Sequence, residues 1–493
     1  MPNLIAYIVL FGWPVVAWVL FRRLPPGKAT VATILWGYLL LPERPVIDPP
    51  MLPPIGKELI PSLSAAVMLW LQRSEQSRQG SAARGAGRKI APTSRLTHLP
   101  WIALTLLSCS ALLTAVSNDY PLVYGDKVLP ALKLYDALSM AIGFAVMLLP
   151  LLLAQRHLVG REIQLFTLRS LVWGGLVYSL LMLYELRMSP QLNNMIYGFF
   201  PHAFIQHIRD GGFRPIVFLA HGLRVGIFMV MASLAAATLA RQAQDKMRGR
   251  WILASLWIAA VVTLSHNMGA TLILFVLLPV TLFLPARLGQ VLAMLVALVI
   301  LIYPIARGAG LIPTHWIVTQ ITHISPERAE SFEFRLRNED ALLAKAELKP
   351  LSGWGGYNRM RVFDREKGKD ESTTDGAWII LIGTFGWVGY LALFSLVCLP
   401  VIALGRRFST LKLSWADVGL SLLLAGNLVD MIPNSSLVPP TWLIAGLLWA
   451  RLSAPSAYPA ETTADSPRAR SVPSRGQAPE APPDQSRPIP SNT

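Results

Sequence analysis

What most constrains this chain is a succession of apolar runs broken by short turns rich in arginine. Many approach or exceed the ~18 residues that argue for a membrane-spanning helix. They cover 4–21, 99–116, 135–154, 163–184, 216–240, 251–264, 270–284, 291–305, 377–404, 413–429 and 442–450, with shorter runs at 29–41 and 63–71. Only 15% of the 493 residues are charged, against about 25% in a soluble protein. The pattern predicts an all-α, polytopic membrane bundle of about 12 or 13 spans. A β-barrel would instead show short alternating strands.

Charge sets the expected orientation. The segment 72–98 holds Arg73, Arg78, Arg84, Arg88, Lys89 and Arg95 against one acid, Glu75. Basic loops favour the cytoplasmic side, so this connector is placed inside. Alternation then puts 117–134, 185–215, the turn 265–267 and the large polar segment 306–376 outside. The chain carries a net charge of +16, and its positive charge sits largely in the short loops between spans. It fits topology and anionic lipid better than nucleic acid. Arg22-Arg23 follow the first run without a small-residue cleavage signature, so that run is read as a retained span. Residues 1–451 form the expected membrane domain. The Pro-, Ser- and Ala-rich 452–493 reads as a disordered cytoplasmic tail. Cys109 and Cys398 lie inside apolar runs and offer neither a disulfide framework nor metal spacing.

The polar residues that bear on chemistry sit in two of the outer loops. If a helix begins at Pro215, Arg214 lies at the membrane edge, and His221 and Arg224 follow deeper on one face. Ionisable groups at such depth usually face a wet cavity or a partner. The plainer reading is snorkelling of Arg214 and a hydrogen-bonded His221 within the bundle. Arg187 opens the same loop. The large segment adds Arg328, Arg335 and Arg337, the last two on an expected amphipathic helix that is otherwise a solvated surface. Arginine grips phosphate in a fixed two-pronged geometry, so an arginine from each loop makes a diphosphate clamp. Trp354 and Tyr357 suit stacking on a sugar ring, or a place in an interfacial aromatic belt. Asp375, just before the run 377–404, is either a helix cap or a carboxylate that takes a proton or orients a hydroxyl.

The order Arg337, Pro350-Leu351-Ser352-Gly353-Trp354-Gly355-Gly356, Asp375-Gly376, then Gly386 and Gly389, resembles the O-antigen ligase and O-antigen polymerase superfamily of bacterial envelopes. The segments 185–192, Tyr197-Gly198-Phe199-Phe200-Pro201-His202, Gly212-Phe213-Arg214-Pro215 and Thr374-Asp375-Gly376-Ala377-Trp378 look like its polysaccharide-polymerase branch. Where ligases carry a His-Asn pair before the last glycine-marked helix, this chain has Asp375-Gly376. The pair His266-Asn267 stands elsewhere and is read as a decoy.

The resemblance implies a glycosyltransferase of the bacterial inner membrane acting on its periplasmic face. Its donor would be a glycan on polyprenyl diphosphate, polymerised by a metal-independent, inverting displacement with no cofactor. Asp375, Arg337 and Arg214 would be catalytic. Arg335 (the alternative loop arginine), Arg187, His221, Arg224, Trp354 and Tyr357 would bind substrate. The expected partners are the lipid-linked oligosaccharide, membrane lipids, a flippase and a chain-length regulator. The alternatives are a ligase moving the finished glycan to lipid A-core, and a flippase or transporter. The last would place broken helices and ionisable groups near the bilayer midplane.

Overall fold

In the computed structural model, which describes residues 1–49, 52–79, 95–209 and 211–458, the chain is predominantly helical. The helices are α1 (Leu4–Phe11), α2 (Trp13–Arg23), α3 (Pro26–Leu40), α4 (Ile60–Gln79), α5 (Leu99–Val116), α6 (Leu134–Met147), α7 (Leu149–His157), α8 (Arg161–Met188) and α9 (Leu192–Tyr197). Then follow α10 (Gly222–Gln242), α11 (Asp245–Leu264), α12 (Met268–Phe283), α13 (Ala286–Gly308), α14 (Thr314–Ile324), α15 (Pro326–Glu347), α16 (Ala377–Arg406), α17 (Phe408–Leu411), α18 (Trp415–Asp430) and α19 (Pro439–Ser453). Two small hairpins interrupt them, β1–β2 (Leu122–Tyr124 with Lys127–Leu129) and β3–β4 (Ile208–Arg209 with Gly212–Phe213).

Among the described residues, 7 helices are long and apolar enough to cross a bilayer, or 8 if the bent pair α6–α7 is one span. The expectation of twelve or thirteen exceeds this. The difference lies in α4, which is long but polar in its second half, and in α3, α12, α18 and α19, the last four of only 15, 16, 16 and 15 residues. At 1.5 Å per residue such helices reach only about 22–24 Å, short of a ~30 Å hydrocarbon core. Apolarity alone could not separate them from spans. Helix length does, and α18 and α19 are in addition enclosed along almost their whole length by α10, α16 and α7.

Hydrogen bonds tie the four loops expected on one side in two pairs. Arg359, completely buried, ties two of them: its guanidinium donates to the carbonyls of Trp354, Tyr120 and Pro130 and to Asn118 Oδ1. Arg214 Nη2 donates to the His266 carbonyl, which joins the other two. The amide of Asn3 donates to Tyr197 O, so the N-terminus lies beside the 185–215 loop. At the other end of α8 Lys28 pairs with Glu162, and Asp417 holds both Gln164 and the buried Arg451. The basic stretch 80–94 and the tail from 459 lie outside the described residues. Ordered structure passes the expected boundary at 451: α19 runs on to Ser453, and Tyr458 stacks on Arg451.

α16 is broken at Gly386, whose φ of 66° and ψ of −169° are non-helical. The glycine turn 350–356 plugs this break. Trp354 N and Gly355 N donate to the carbonyls of Gly383 and Thr384, and Trp387 N donates to Pro350 O. The polar segment is thereby bolted to the last long helix, and carbonyls freed by the kink find donors.

Candidate functional site

α15 and the start of α16 build the first polar centre. Residues three and four apart share a helical face, so Arg335, Asn338 and Glu339 point together toward α16 while Arg337 points away. Arg335 Nε lies 3.7 Å from Asp375 Oδ2, with the two side chains 42% and 40% exposed. A pair this wet contributes at most about 1 kcal/mol to stability, so its place in the fold is not explained by stability. Asn338 Oδ1 accepts from Thr373 N at 2.7 Å and fixes the extended segment that carries Asp375. Asp375 is not the cap of α16. Gly376 occupies that position, and Ala377 N donates to the carbonyls of Met431 and Asn434. The carboxylate is therefore left to Arg335.

Glu339 was not among the sequence candidates. Its carboxylate lies 3.9 Å from Arg307 Nε. Burial raises its pKa, the Arg307 charge opposes that, and the balance stands at about 7. Asp375 and Asp340 also push it up. Arg307 itself pairs with Asp340 at 2.6 Å. A carboxyl group poised near neutrality beside a half-exposed Arg–Asp pair is suited to proton transfer.

The other candidates of this segment fall differently. Arg337 is exposed on the outer face of α15. Trp354 is 8% exposed, its indole N–H donates to Lys345 O, and the ammonium groups of Lys345 and Lys349 lie 5.2 and 4.8 Å from its ring. It is a core residue of the loop, with its ring already engaged. Tyr357 is 50% exposed, and its hydroxyl donates to Asp136 Oδ1 at 2.7 Å. That hydrogen bond, with burial, pushes its pKa to about 12. Its ring remains accessible.

A second centre forms where α8 gives way to α10. The helix expected from Pro215 begins only at Gly222. The reason is Glu185, fully buried in the last turn of α8, whose carboxylate accepts from the amides of Leu192, Ile216 and Val217. Val217 adopts a φ of 50°, and the chain turns there instead of coiling. Arg214, His221 and Arg224 are consequently brought near one another by this turn and not by a shared helical face. His221 caps α10, its Nδ1 accepting from Leu223 N at 3.1 Å. Burial, then His207, His202, Arg214 and Arg224, lower its pKa to about 3, so the ring is neutral. Arg224 pairs with Glu58 at 3.3 Å. Glu58, Glu43 and the buried Lys57 line a cavity of about 380 Å³, closed on its apolar side by Val146, Pro439 and Trp442. Arg187 is exposed in the last turn of α8. Asn267 caps α12 and donates to Gly222 O, and the His266 carbonyl receives Arg214. The pair read as a decoy thus braces the second centre.

No protein-family model matches this chain, and no curated protein sequence matches it. The residues missed by sequence reasoning share a cause. Glu339 was hidden among neighbouring acids, and only its phase on α15 separates it from Glu333 and Asp340. Glu185, His202 and His207 have no local period, so nothing nearby in sequence marks them.

Proposed function

We propose that this chain is a membrane glycosyltransferase that polymerises polyprenyl-diphosphate-linked glycan repeat units at the outer face of a bacterial inner membrane. The observation that carries this reading is the Arg335–Asp375 pair, held half-exposed where the large polar segment meets α16, with Glu339 beside it. The resemblance in motif order supports the substrate class. In this reading the acceptor hydroxyl oxygen attacks the anomeric carbon of the donor. The bond from that carbon to the diphosphate oxygen breaks, and the electron pair leaves with the diphosphate. Arg335 stabilises the charge that develops there, which is where a cation lowers the barrier most. Asp375 orients the acceptor, and Glu339 takes its proton. Arg335 replaces Arg337 as the preferred loop arginine because of its phase on α15. Arg224, whose partner Glu58 lines the cavity, and Arg214 are assigned to binding the remainder of the lipid-linked substrate.

The test is an envelope glycan gel of expression-matched variants. Asp375→Asn and Arg335→Ala are expected to slow chain elongation by about 10²–10³-fold, the range for losing one preorganised charge-stabilising group. Arg337→Ala is expected to cost less than about tenfold, as an exposed side chain should. Single repeat units should accumulate. Long chains stranded on the carrier would point to the ligase, inward-facing lipid-linked units to a flippase. An unchanged ladder in both Asp375→Asn and Arg335→Ala would sink the site.

Glu339 gives this reading a pH signature. Its folded pKa of about 7 lies above the ordinary 4.5. A base that must be ionised works only above its pKa, so elongation by purified protein in liposomes should rise as pH climbs through about 7. Glu339→Gln should flatten that limb. Stability runs the other way: between about 4.5 and 7 the folded state keeps a proton the unfolded chain has released, so stability falls as pH rises through this window. Melting curves of Glu339→Gln should lose that slope.

A further inference from the structure

The loop between α9 and α10 collects three histidines that the proposed reaction does not use as a group. His202 precedes and His207 ends the short 3-10 turn Phe204–His207, and His221 caps α10. Their ligand atoms all lie within 4.8 Å of one another. The rings of His202 and His207 each stand 4.9 Å, centroid to centroid, from that of His221. His207 is completely buried and His202 is exposed, so the cluster has an anchored floor and an open rim. The Arg214 amide donates to His207 O at 2.8 Å and fixes the floor in place.

We infer that His202, His207 and His221 form a binding site for one divalent transition-metal ion of the zinc type. Imidazole nitrogen is the ligand that zinc, copper, nickel and iron share, and three of them with an open fourth position make a recognised zinc geometry. Nitrogens bound at ~2.0–2.1 Å stand roughly 3.4 Å apart around a tetrahedral ion. Closing from 4.8 Å therefore needs only about an ångström of ring movement, which the exposed His202 can supply. His221 Nδ1 now accepts from Leu223 N. Ligation through either nitrogen gives up that cap bond, so metal and cap compete for one ring. Arg214 and Arg224 add positive charge nearby, and Glu58 offsets Arg224. The open fourth position accordingly favours an anion or hydroxide over a further neutral group. A packed stack of rings without metal is the competing account.

The test uses the full-length protein, purified without a histidine tag in detergent, stripped with chelator and dialysed against zinc chloride. A single zinc per chain is expected, and cobalt in its place should give the intense visible bands of a tetrahedral site. His202→Ala, exposed and safe for folding, should weaken zinc in a chelator competition by at least about 100-fold, the upper range for losing even an outer-sphere partner. His207→Gln should do the same. His315→Ala, on exposed α14, should bind as wild type. Absence of stoichiometric metal, or unchanged affinity in both His202→Ala and His207→Gln, would overturn the site. Because metal binding alone is the readout, the outcome does not depend on what reaction the protein performs.

Discussion

Glu185→Ala is expected to destabilise the protein by about 3–5 kcal/mol, the range for breaking a fully buried charged network. The carboxylate holds three amides, of Leu192, Ile216 and Val217, at 2.8–3.0 Å. Its loss orphans all three, and each buried unsatisfied group costs about 1–3 kcal/mol. Glu185→Gln should be little better. A carboxamide keeps one acceptor oxygen but turns an NH₂ donor toward groups that are themselves donors. The measurement is the melting temperature of the detergent-solubilised protein, with monodispersity checked. A melting temperature unchanged in both variants would show that water replaces the carboxylate, and that the turn placing Arg214 and His221 is held by something else.

Gly386→Ala is expected to cost more than about 4 kcal/mol, in the tail of single-substitution effects that a named mechanism must explain. Its backbone lies in a region essentially reserved to glycine, which alone accounts for about 1–3 kcal/mol. A Cβ there would stand 2.4 Å from Leu351 C and O and 2.6 Å from Pro350 O. Those are backbone atoms of the plug and cannot swing aside. The plug must withdraw, and the bonds from Trp354 N, Gly355 N and Trp387 N go with it. Limited proteolysis should open the 348–376 segment in Gly386→Ala. Gly269→Ala, where an added Cβ meets nothing within 4 Å, should remain resistant. Equal resistance in both would refute the plug as the fastening of this segment.

Much of the fold was legible because membrane helices announce themselves locally. An apolar run of sufficient length must satisfy its own backbone and bury itself in lipid or protein, whatever the rest of the chain does. The basic turns set an expected order of loops, of which hydrogen bonds tie 117–134 to 306–376 and 185–215 to 265–267. The sequence could not tell a span from a short enclosed helix such as α18. Both are apolar, and only where each helix starts and stops distinguishes them: α10 is as enclosed as α18 yet long enough to cross.

At the site the division is sharper. That Arg335, Arg337 and Asp375 were candidates followed from residue chemistry. Which arginine meets the aspartate depends on the rotational phase of α15 against α16, set by contacts such as Asn338 with Thr373. The glycines of 350–356 and Gly386 stood out in the sequence as parts of one motif order. That these two stretches complete each other is a long-range fact. Arg359 read as one charge in a polar run, yet it is the buried pin of two loops. His202, His207 and His221 meet because Glu185 turns the chain before α10. Sequence by itself determined the apolar helices, the basic turns and the residue types at the two polar centres, because hydrophobicity and charge act locally. Tertiary structure decided the pairings, because a hydrogen bond or ion pair exists only where packing brings its two halves within about 3–4 Å.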